Sequence, residues 1–217
     1  MQTLAPDLRT TVAASLARAP IIAVVRHPDR AVAARQATAF MRHGLEMIEV
    51  TFTVPGATDL VRELLDLRPA GSPIRIGMGT VTTVSRAHDA VAAGSEFIVT
   101  PNVSAAVAGI AREHGLFLCM GGLTPTELVT AHELGADLLK VYPLPPVGGP
   151  AYLSVIRQPL GDLAPMLAGG GFGIEEIPAY RAAGAVAFGI GGPLLGADDA
   201  ATSRNIQRAL ALARGEP

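Results

Sequence analysis

Eight short apolar stretches alternate with helical stretches along this chain of 217 residues, and no other feature limits the fold as strongly. Most of the apolar stretches are continuous, as in parallel strands that are buried on both faces. Glycines that close the helical stretches lie just before the next strand, where a left-handed residue stops a helix. The predicted strands are Ile21–Val25, Met47–Phe52, Ile74–Met78, Glu96–Val99, Phe117–Met120, Leu138–Val141, Ala164–Ala168 and Val186–Ile190.

Eight strand–helix units predict a single α/β domain over residues 1–217, a (β/α)8 TIM barrel whose residues 1–20 form an N-terminal helical segment. A doubly wound open sheet is the alternative, and it usually carries a glycine-rich nucleotide loop after its first strand. That place holds Arg26-His27-Pro28-Asp29 here, so the barrel is favoured.

Charge and cysteine usage narrow the class of partner. The formal net charge is −2, which removes the electrostatic reason to expect nucleic acid or an anionic membrane as partner. Cys119 is the single cysteine and suits a reducing compartment. The charged residues Asp7 and Arg9 interrupt the stretch where a secretory signal would be apolar. We therefore expect a cytoplasmic protein.

One lysine stands among 16 arginines, and it is Lys140, within the apolar stretch Leu138–Val141. Arginine replaces lysine as a cation but not as an amine that must lose its proton, because guanidinium stays charged at any working pH. An unpaired lysine in a buried strand is also costly. Lys140 is therefore a candidate for amine chemistry.

In a (β/α)8 barrel the active site forms at the carboxyl ends of the strands. Arg26 follows the first strand there, and the second strand carries Glu49, Thr51 and Thr53. An inward lysine, an inward glutamate and an arginine suit Schiff-base chemistry, in which the amine attacks a ketone and the carboxylate moves protons. A buried structural ion pair between Glu49 and Arg26 is the alternative interpretation.

Glycine clusters follow the seventh and eighth strands, where many barrels bind phosphate with backbone N–H groups. These are Gly169-Gly170-Gly171 and Gly189-Ile190-Gly191-Gly192. Tight turns also need glycine, so the clusters by themselves are a weak indication. Only His27 of the five histidines lies near a strand's carboxyl end, so we expect no catalytic metal and no cofactor.

Taken together and in order, four segments and the paired glycines resemble the KDPG (2-keto-3-deoxy-6-phosphogluconate) and 4-hydroxy-2-oxoglutarate aldolase family, including its 6-phosphogalactonate branch. The resemblance runs from about Ile21 to about Gly196. The segments are Ile48-Glu49-Val50-Thr51, Gly77-Met78-Gly79-Thr80-Val81, Ile98-Val99-Thr100-Pro101-Asn102, Leu139-Lys140-Val141-Tyr142-Pro143, and the pairs Gly169-Gly170 and Gly191-Gly192.

The resemblance implies a metal-free class I aldolase, a homotrimer of (β/α)8 barrels that cleaves a phosphorylated 2-keto-3-deoxy sugar acid to pyruvate and an aldehyde. It implies that Lys140 is the Schiff-base lysine and Glu49 the general acid/base. Arg26 and Thr80 would contact the pyruvyl end of this small-molecule substrate, and Pro101 and Tyr142 would line the pocket. The distal phosphate would be held by Gly169, Gly170, Gly191 and Gly192.

Three positions depart from the family pattern. Thr53 stands where the gluconate branch has arginine, and Met120 precedes Gly121 where members usually have proline. Pro193 follows Gly192 where a serine is usual, and proline has neither N–H nor hydroxyl to offer a phosphate. Two alternatives therefore stay open: an aldolase for a non-phosphorylated 2-keto acid, and a phosphate-binding barrel of another activity, such as a sugar-phosphate isomerase.

Overall fold

The computed structural model describes residues 7–216, and its eight strands form one closed parallel barrel in chain order. β1 pairs with both β2 and β8, which closes the sheet and rules out the doubly wound alternative. The strands are β1 Ile21–Val25, β2 Met47–Thr51, β3 Arg75–Gly79, β4 Phe97–Val99, β5 Phe117–Gly122, β6 Leu138–Val141, β7 Met166–Gly169 and β8 Ala187–Ile190.

One α-helix precedes the barrel and another follows each strand. They are α1 Leu8–Arg18, α2 Arg30–Arg42, α3 Ala57–Leu67, α4 Val84–Ala92, α5 Ala105–Glu113, α6 Pro125–Glu133, α7 Pro150–Arg157, α8 Ile177–Ala182 and α9 Asp199–Arg214. The predicted N-terminal helical segment is thus α1, and residues 1–6 of it lie outside the described residues. None of the helices that the structure describes is both long and apolar enough to cross a membrane.

The local signals of the sequence explain most of the boundaries. The glycines at 44, 94, 115, 135 and 184 all have positive φ, as the predicted helix stops require. Thr124 and Glu127 form a reciprocal capping box at the start of α6.

Two strand ends differ from the prediction by two residues, and six others differ by one. β7 begins at Met166 rather than at Ala164, since Pro165 cannot donate a ladder hydrogen bond. β5 continues two residues beyond Met120, because Gly121 and Gly122 still pair with β6.

Two apolar cores follow from the alternation of side chains along the strands. One face of each strand packs against the surrounding helices, and the other fills the inside of the barrel. The inner core lies at the amino-terminal end of the strands, where Val12 and Leu16 of α1 cover it. Its barrel residues are Ile22, Met47, Phe97, Val99, Phe117, Cys119, Leu138, Leu167 and Ala187.

Candidate active site

Lys140 and Glu49 both lie on the inner face of the barrel. Leu138 and Met47 belong to the inner core, and side chains two residues further along a strand point to the same side. Lys140 is two residues beyond Leu138 in β6, and Glu49 is two residues beyond Met47 in β2. The alternation of the strands therefore places an amine and a carboxylate above the packed inner core, towards the carboxyl ends.

Glu49 is a buried carboxylate, with 2% of the residue exposed. Its ladder neighbours are Val24 on β1 and Gly77 on β3. No group among residues 7–216 hydrogen-bonds its Oε1 atom, and it makes no salt bridge with Arg26, so the alternative of a structural ion pair fails. A buried polar atom without a partner is costly, so this carboxylate is a candidate functional group.

Glu49 has room only because residue 79 is a glycine. A β-carbon at Gly79 would overlap the carboxylate of Glu49. In the same way, Gly169 leaves space beside Lys140, since a β-carbon there would lie 3.3 Å from the Cε atom of the lysine. Glycines on β3 and β7 thus open the interior around the two charged groups.

Lys140 is half-buried and lies next to an aromatic ring. Its Nζ atom is 5.1 Å from the ring centroid of Tyr142. No carboxylate in the described part of the chain forms a salt bridge with it. An amine that no carboxylate holds is accessible to a carbonyl substrate, as a Schiff-base nucleophile must be.

Cys119 lies beneath these groups in the inner core. Burial raises the pKa of the Cys119 thiol to about 12, and the charges of Lys140 and Glu49 act on it in opposite directions. All three side chains therefore belong to one continuous interior. Cys119 itself is fully buried, as expected for a small apolar residue.

A cavity of about 400 Å³ opens at the carboxyl ends of β1, β6, β7 and β8. Most of the predicted site residues meet there. Its walls are Val24, Arg26, Gln36, Lys140, Tyr142, the glycines 169–171, Phe172, Gly189, Ile190, Gly191, Gly192 and Pro193.

Arg26 and Thr80 form a second polar group at the mouth of the barrel. Arg26 Nη2 donates to Thr80 Oγ1 over 3.4 Å. Thr80 has φ of +60°, and it is the one non-glycine residue with positive φ between residues 7 and 216. This conformation is strained for a β-branched side chain, and such strain concentrates at functional sites.

Five predicted residues are not part of the cavity wall: Glu49 and Thr80, described above, and Thr51, Thr53 and Pro101. Thr51 is fully buried, and its hydroxyl donates to the carbonyl of Val25 over 3.0 Å and meets Thr53 Oγ1 at 2.7 Å. Thr53 follows β2 rather than belonging to it, and it is exposed. Pro101 lies beside Gly121 of β5 and is not part of the cavity wall. Thr51 therefore stabilises the end of β2.

The glycine loops present free backbone donors. Within residues 7–216, the N–H groups of Gly170, Gly171, Phe172, Gly191 and Gly192 have no hydrogen-bond acceptor. Gly170 has φ of +130°, and a β-carbon there would lie 2.9 Å from the backbone of Leu144, so only glycine fits. Pro193 continues the second loop without an N–H group.

Sequence reasoning missed Gln36 and the inward glycines of the strands. Gln36 lies beside the buried stripe of α2 that contains Ala33 and Ala37, and a polar residue at the edge of an apolar stripe was the available signal. Gly77 and Gly79 were named only as part of a motif, although glycine inside a strand indicates a close approach or an open space. Among the described residues no cluster of three or more His, Cys, Asp or Glu side chains could hold a metal ion.

A comparison with family models decides the relationship of this chain. The model described as KDPG and KHG aldolase matches residues 12–212, almost the whole described chain. The chain belongs to the KDPG and KHG aldolase family. It is a class I aldolase, an aldehyde-lyase that acts on a small molecule, as the sequence predicted.

Individual relatives of this aldolase are also named as aldolases. An Escherichia coli 2-dehydro-3-deoxy-6-phosphogalactonate aldolase is 30% identical over 197 residues, which is 90% of this chain and 93% of that protein. A Rhizobium meliloti protein named as a probable aldolase of the same kind is 33% identical over 81% of both chains. A solved structure described as native KDPGal is 27% identical with a TM-score of 0.79, and the match covers 90% of the aldolase and 95% of that chain.

Proposed function

We propose that this aldolase cleaves a 2-keto-3-deoxy-6-phospho sugar acid to pyruvate and a phosphorylated aldehyde such as glyceraldehyde 3-phosphate. The observation that carries the proposal is Lys140, the one lysine of the chain, which faces the cavity without a carboxylate partner among the described residues. The names of the relatives support the phosphorylated substrate, and two of them support the galactonate configuration.

The Lys140 amine attacks the C2 carbonyl carbon of the keto acid, and loss of water leaves a protonated imine. The bond between C3 and C4 then breaks, with its electron pair flowing through C2 to the imine nitrogen, while the C4 hydroxyl loses its proton and becomes an aldehyde. Protonation of the resulting enamine at C3 and hydrolysis of the imine release pyruvate and restore the amine. The reaction is balanced without an oxidant or a metal.

Glu49 is the group that moves protons in this scheme. It accepts the C4 hydroxyl proton and returns a proton at C3, directly or through one water. Its position in the barrel interior suits this role, because no group among residues 7–216 occupies its Oε1 atom. Arg26, with Thr80 beside it, binds the carboxylate of the keto acid by charge-assisted hydrogen bonds.

The distal phosphate fits the free N–H groups of the two glycine loops. Backbone donors without acceptors on one cavity wall are the recurrent solution for phosphate in this fold. Gln36 adds a side-chain amide to the same wall and compensates in part for the missing donor of Pro193. Tyr142 lines the apolar side of the cavity.

Trapping with borohydride tests the proposal. Incubation with pyruvate and borohydride should attach one reduced pyruvyl group to the peptide that contains Lys140. Lys140→Arg is the matched control, since arginine keeps the charge and cannot form an imine. The α-amino group at Met1 is the only other primary amine, so peptide mapping separates the two sites. A label at Met1 alone, or no label, would overturn the proposal and favour a barrel of another activity, such as an isomerase.

Pro193 gives a specific reason to weigh a non-phosphorylated substrate, such as 4-hydroxy-2-oxoglutarate, as the second candidate. Each hydrogen bond to a charged group contributes about 1.5–3 kcal/mol, so missing donors should reduce the preference for phosphate. The ratio of kcat/KM for the 6-phospho sugar acid to that for its dephosphorylated form decides between the candidates. A ratio above about 100, or about 2.7 kcal/mol, supports the phosphorylated substrate.

The assembly and the location are proposals as well. We propose a homotrimer, which rests on the family resemblance and predicts a solution mass of about three times 22.3 kDa in sedimentation equilibrium. A cytoplasmic location is supported by the free, buried Cys119. Fractionation of the source cells tests it.

A further inference from the structure

Arg86 lies at the mouth of the barrel, outside the cavity wall, and its side chain folds back onto the loop that follows β3. Its Nη1 atom donates to the carbonyl oxygen of Thr80 over 3.1 Å and to Thr82 Oγ1 over 2.9 Å. The guanidinium carbon lies 5.3 Å from the ring centroid of Phe52, the residue after β2. One side chain thus joins the ends of two neighbouring strands.

Arg86 is one of seven arginines that form no salt bridge within the described residues. Nine of the other arginines form salt bridges with carboxylates within the described residues, whereas Arg86 forms none there. Arg86 is half-buried, and its backbone N–H is fixed by the Thr83 side chain that caps α4. The hydrogen bonds of its guanidinium therefore go to this loop rather than to a surface acid.

The loop that Arg86 binds contains the strained residue Thr80. The peptide group before Thr80 is held because Phe52 N–H donates to the carbonyl of Gly79 over 2.9 Å. The peptide group after it is held on both sides, by Arg86 at the Thr80 carbonyl and by the hydrogen bond from Val81 N–H to the Val99 carbonyl. A β-branched residue keeps a left-handed conformation only when several contacts around it hold it there. Among the contacts named here, the one from Arg86 is the one that does not belong to the sheet.

We infer that Arg86 is a positioning residue, which holds Thr80 in its left-handed conformation and so fixes the hydroxyl that Arg26 contacts. The inference deepens the proposed function and rests on it, because Arg26 and Thr80 are there assigned to the carboxylate of the keto acid. Arg86 makes no hydrogen bond to Arg26, Lys140 or Glu49, so it acts through Thr80.

The decisive experiment is a double-mutant cycle between Arg86→Met and Thr80→Ala. The readout is the pyruvate concentration that gives half-maximal borohydride trapping at Lys140. Coupled neighbours show interaction effects, and we expect each single variant to raise this concentration about tenfold. The double variant should be no worse than Thr80→Ala alone. If the double variant raised this concentration by the product of the two single effects, the inference would be overturned. It would also be overturned if Arg86→Met needed the same pyruvate concentration as the wild type.

Two further readouts separate positioning from general destabilisation. KM for the keto acid should rise in Arg86→Met while kcat for the bound substrate changes by less than about threefold, because the contact serves binding. Arg86→Lys should recover most of the affinity, since an ammonium can still donate to the Thr80 carbonyl. A Lys variant as weak as Met, at an unchanged Tm, would argue against the contact. If the Met variant does not fold, Arg86→Gln takes its place.

Arg112→Met is the matched control, because Arg112 is exposed on α5 and makes no side-chain hydrogen bond within the described residues. It should leave trapping unchanged. Trapping of pyruvate by the wild type distinguishes a failure of the proposed function from a failure of the role given to Arg86. Failure of the wild type to trap pyruvate removes the proposed function itself, whereas normal trapping by both the wild type and Arg86→Met removes only the role of Arg86.

Discussion

The two ends of the barrel interior are built from the same strands with opposite results. At the amino-terminal end, Phe97 and Phe117 fill the interior, and Leu16 of α1 covers it. At the carboxyl end, the inner face carries the charged groups Glu49 and Lys140 among glycines. The size of the inward-facing side chains decides whether a strand contributes to a packed core or to a cavity.

The difference also separates stability from function. The packed end removes apolar surface from water and is close-packed, so losing atoms there costs folding free energy. The open end keeps a carboxylate atom without a partner and a left-handed threonine, both of which cost stability. A substitution at one end should therefore change a different observable from a substitution at the other.

Glu49→Gln should show the largest effect at the open end. The amide keeps the size of the side chain but cannot accept a proton, so cleavage should fall by about 10²- to 10⁴-fold. Trapping of pyruvate at Lys140 and the Tm should change little. Glu63→Gln, at an exposed carboxylate paired with Arg30, serves as the control and should cleave normally. Near-normal cleavage by the Glu49 variant would remove this residue from the mechanism.

Phe97→Ala is the corresponding test of the packed end. Removing a fully buried ring should lower the free energy of unfolding by about 3–5 kcal/mol, as measured in urea. Trapping of pyruvate per folded molecule should remain close to that of the wild type at low temperature. Leu67→Ala, at a position that is 66% exposed, should cost at most about 0.5 kcal/mol. A folded Phe97 variant that cannot trap pyruvate would show that the two ends are not separable.

Cys119 at the boundary between the two ends predicts a loss of stability at high pH. Burial raises the pKa of the thiol from 9.0 to about 12. The stabilisation is therefore complete below pH 9 and is lost as the pH rises towards 12. Between pH 8 and pH 10 the thiol should account for a loss of about 1.4 kcal/mol in the free energy of unfolding. Cys119→Ala should lack this contribution. If the free energy of unfolding fell equally steeply with pH in the wild type and in Cys119→Ala, the prediction would be contradicted.

The capping box of α6, at the open end, should contribute least. Glu127→Ala should cost about 1 kcal/mol by urea unfolding, since it removes the carboxylate that accepts from the N–H groups of Thr124 and Leu123. These hydrogen bonds hold the pKa of Glu127 below its usual range. The contribution of its charge is therefore present above about pH 4.5 and is lost as the pH falls through the lowered value. If the difference in free energy of unfolding between the wild type and Glu127→Ala did not change at acid pH, this account would be contradicted.

Local patterns predicted the fold because most of its determinants are local. Apolar runs, helix-stopping glycines such as Gly94 and Gly135, and the Thr124–Glu127 cap each act within a few residues, so they can be recognised along the chain. Strand ends were less certain, as at Pro165, because pairing with a neighbour decides where a ladder stops. The family relationship was also predicted correctly, since its motifs are contiguous.

The sequence by itself determined that one amine, Lys140, exists within a buried strand, and that Glu49 shares its inward orientation in a barrel. Only the tertiary structure decided that Gly79 makes room for Glu49, that Thr51 lies behind the wall and that Gln36 reaches the cavity. The physical reason is the range of the interactions. Orientation along a strand repeats every two residues, whereas the neighbours across the barrel depend on the register and closure of all eight strands.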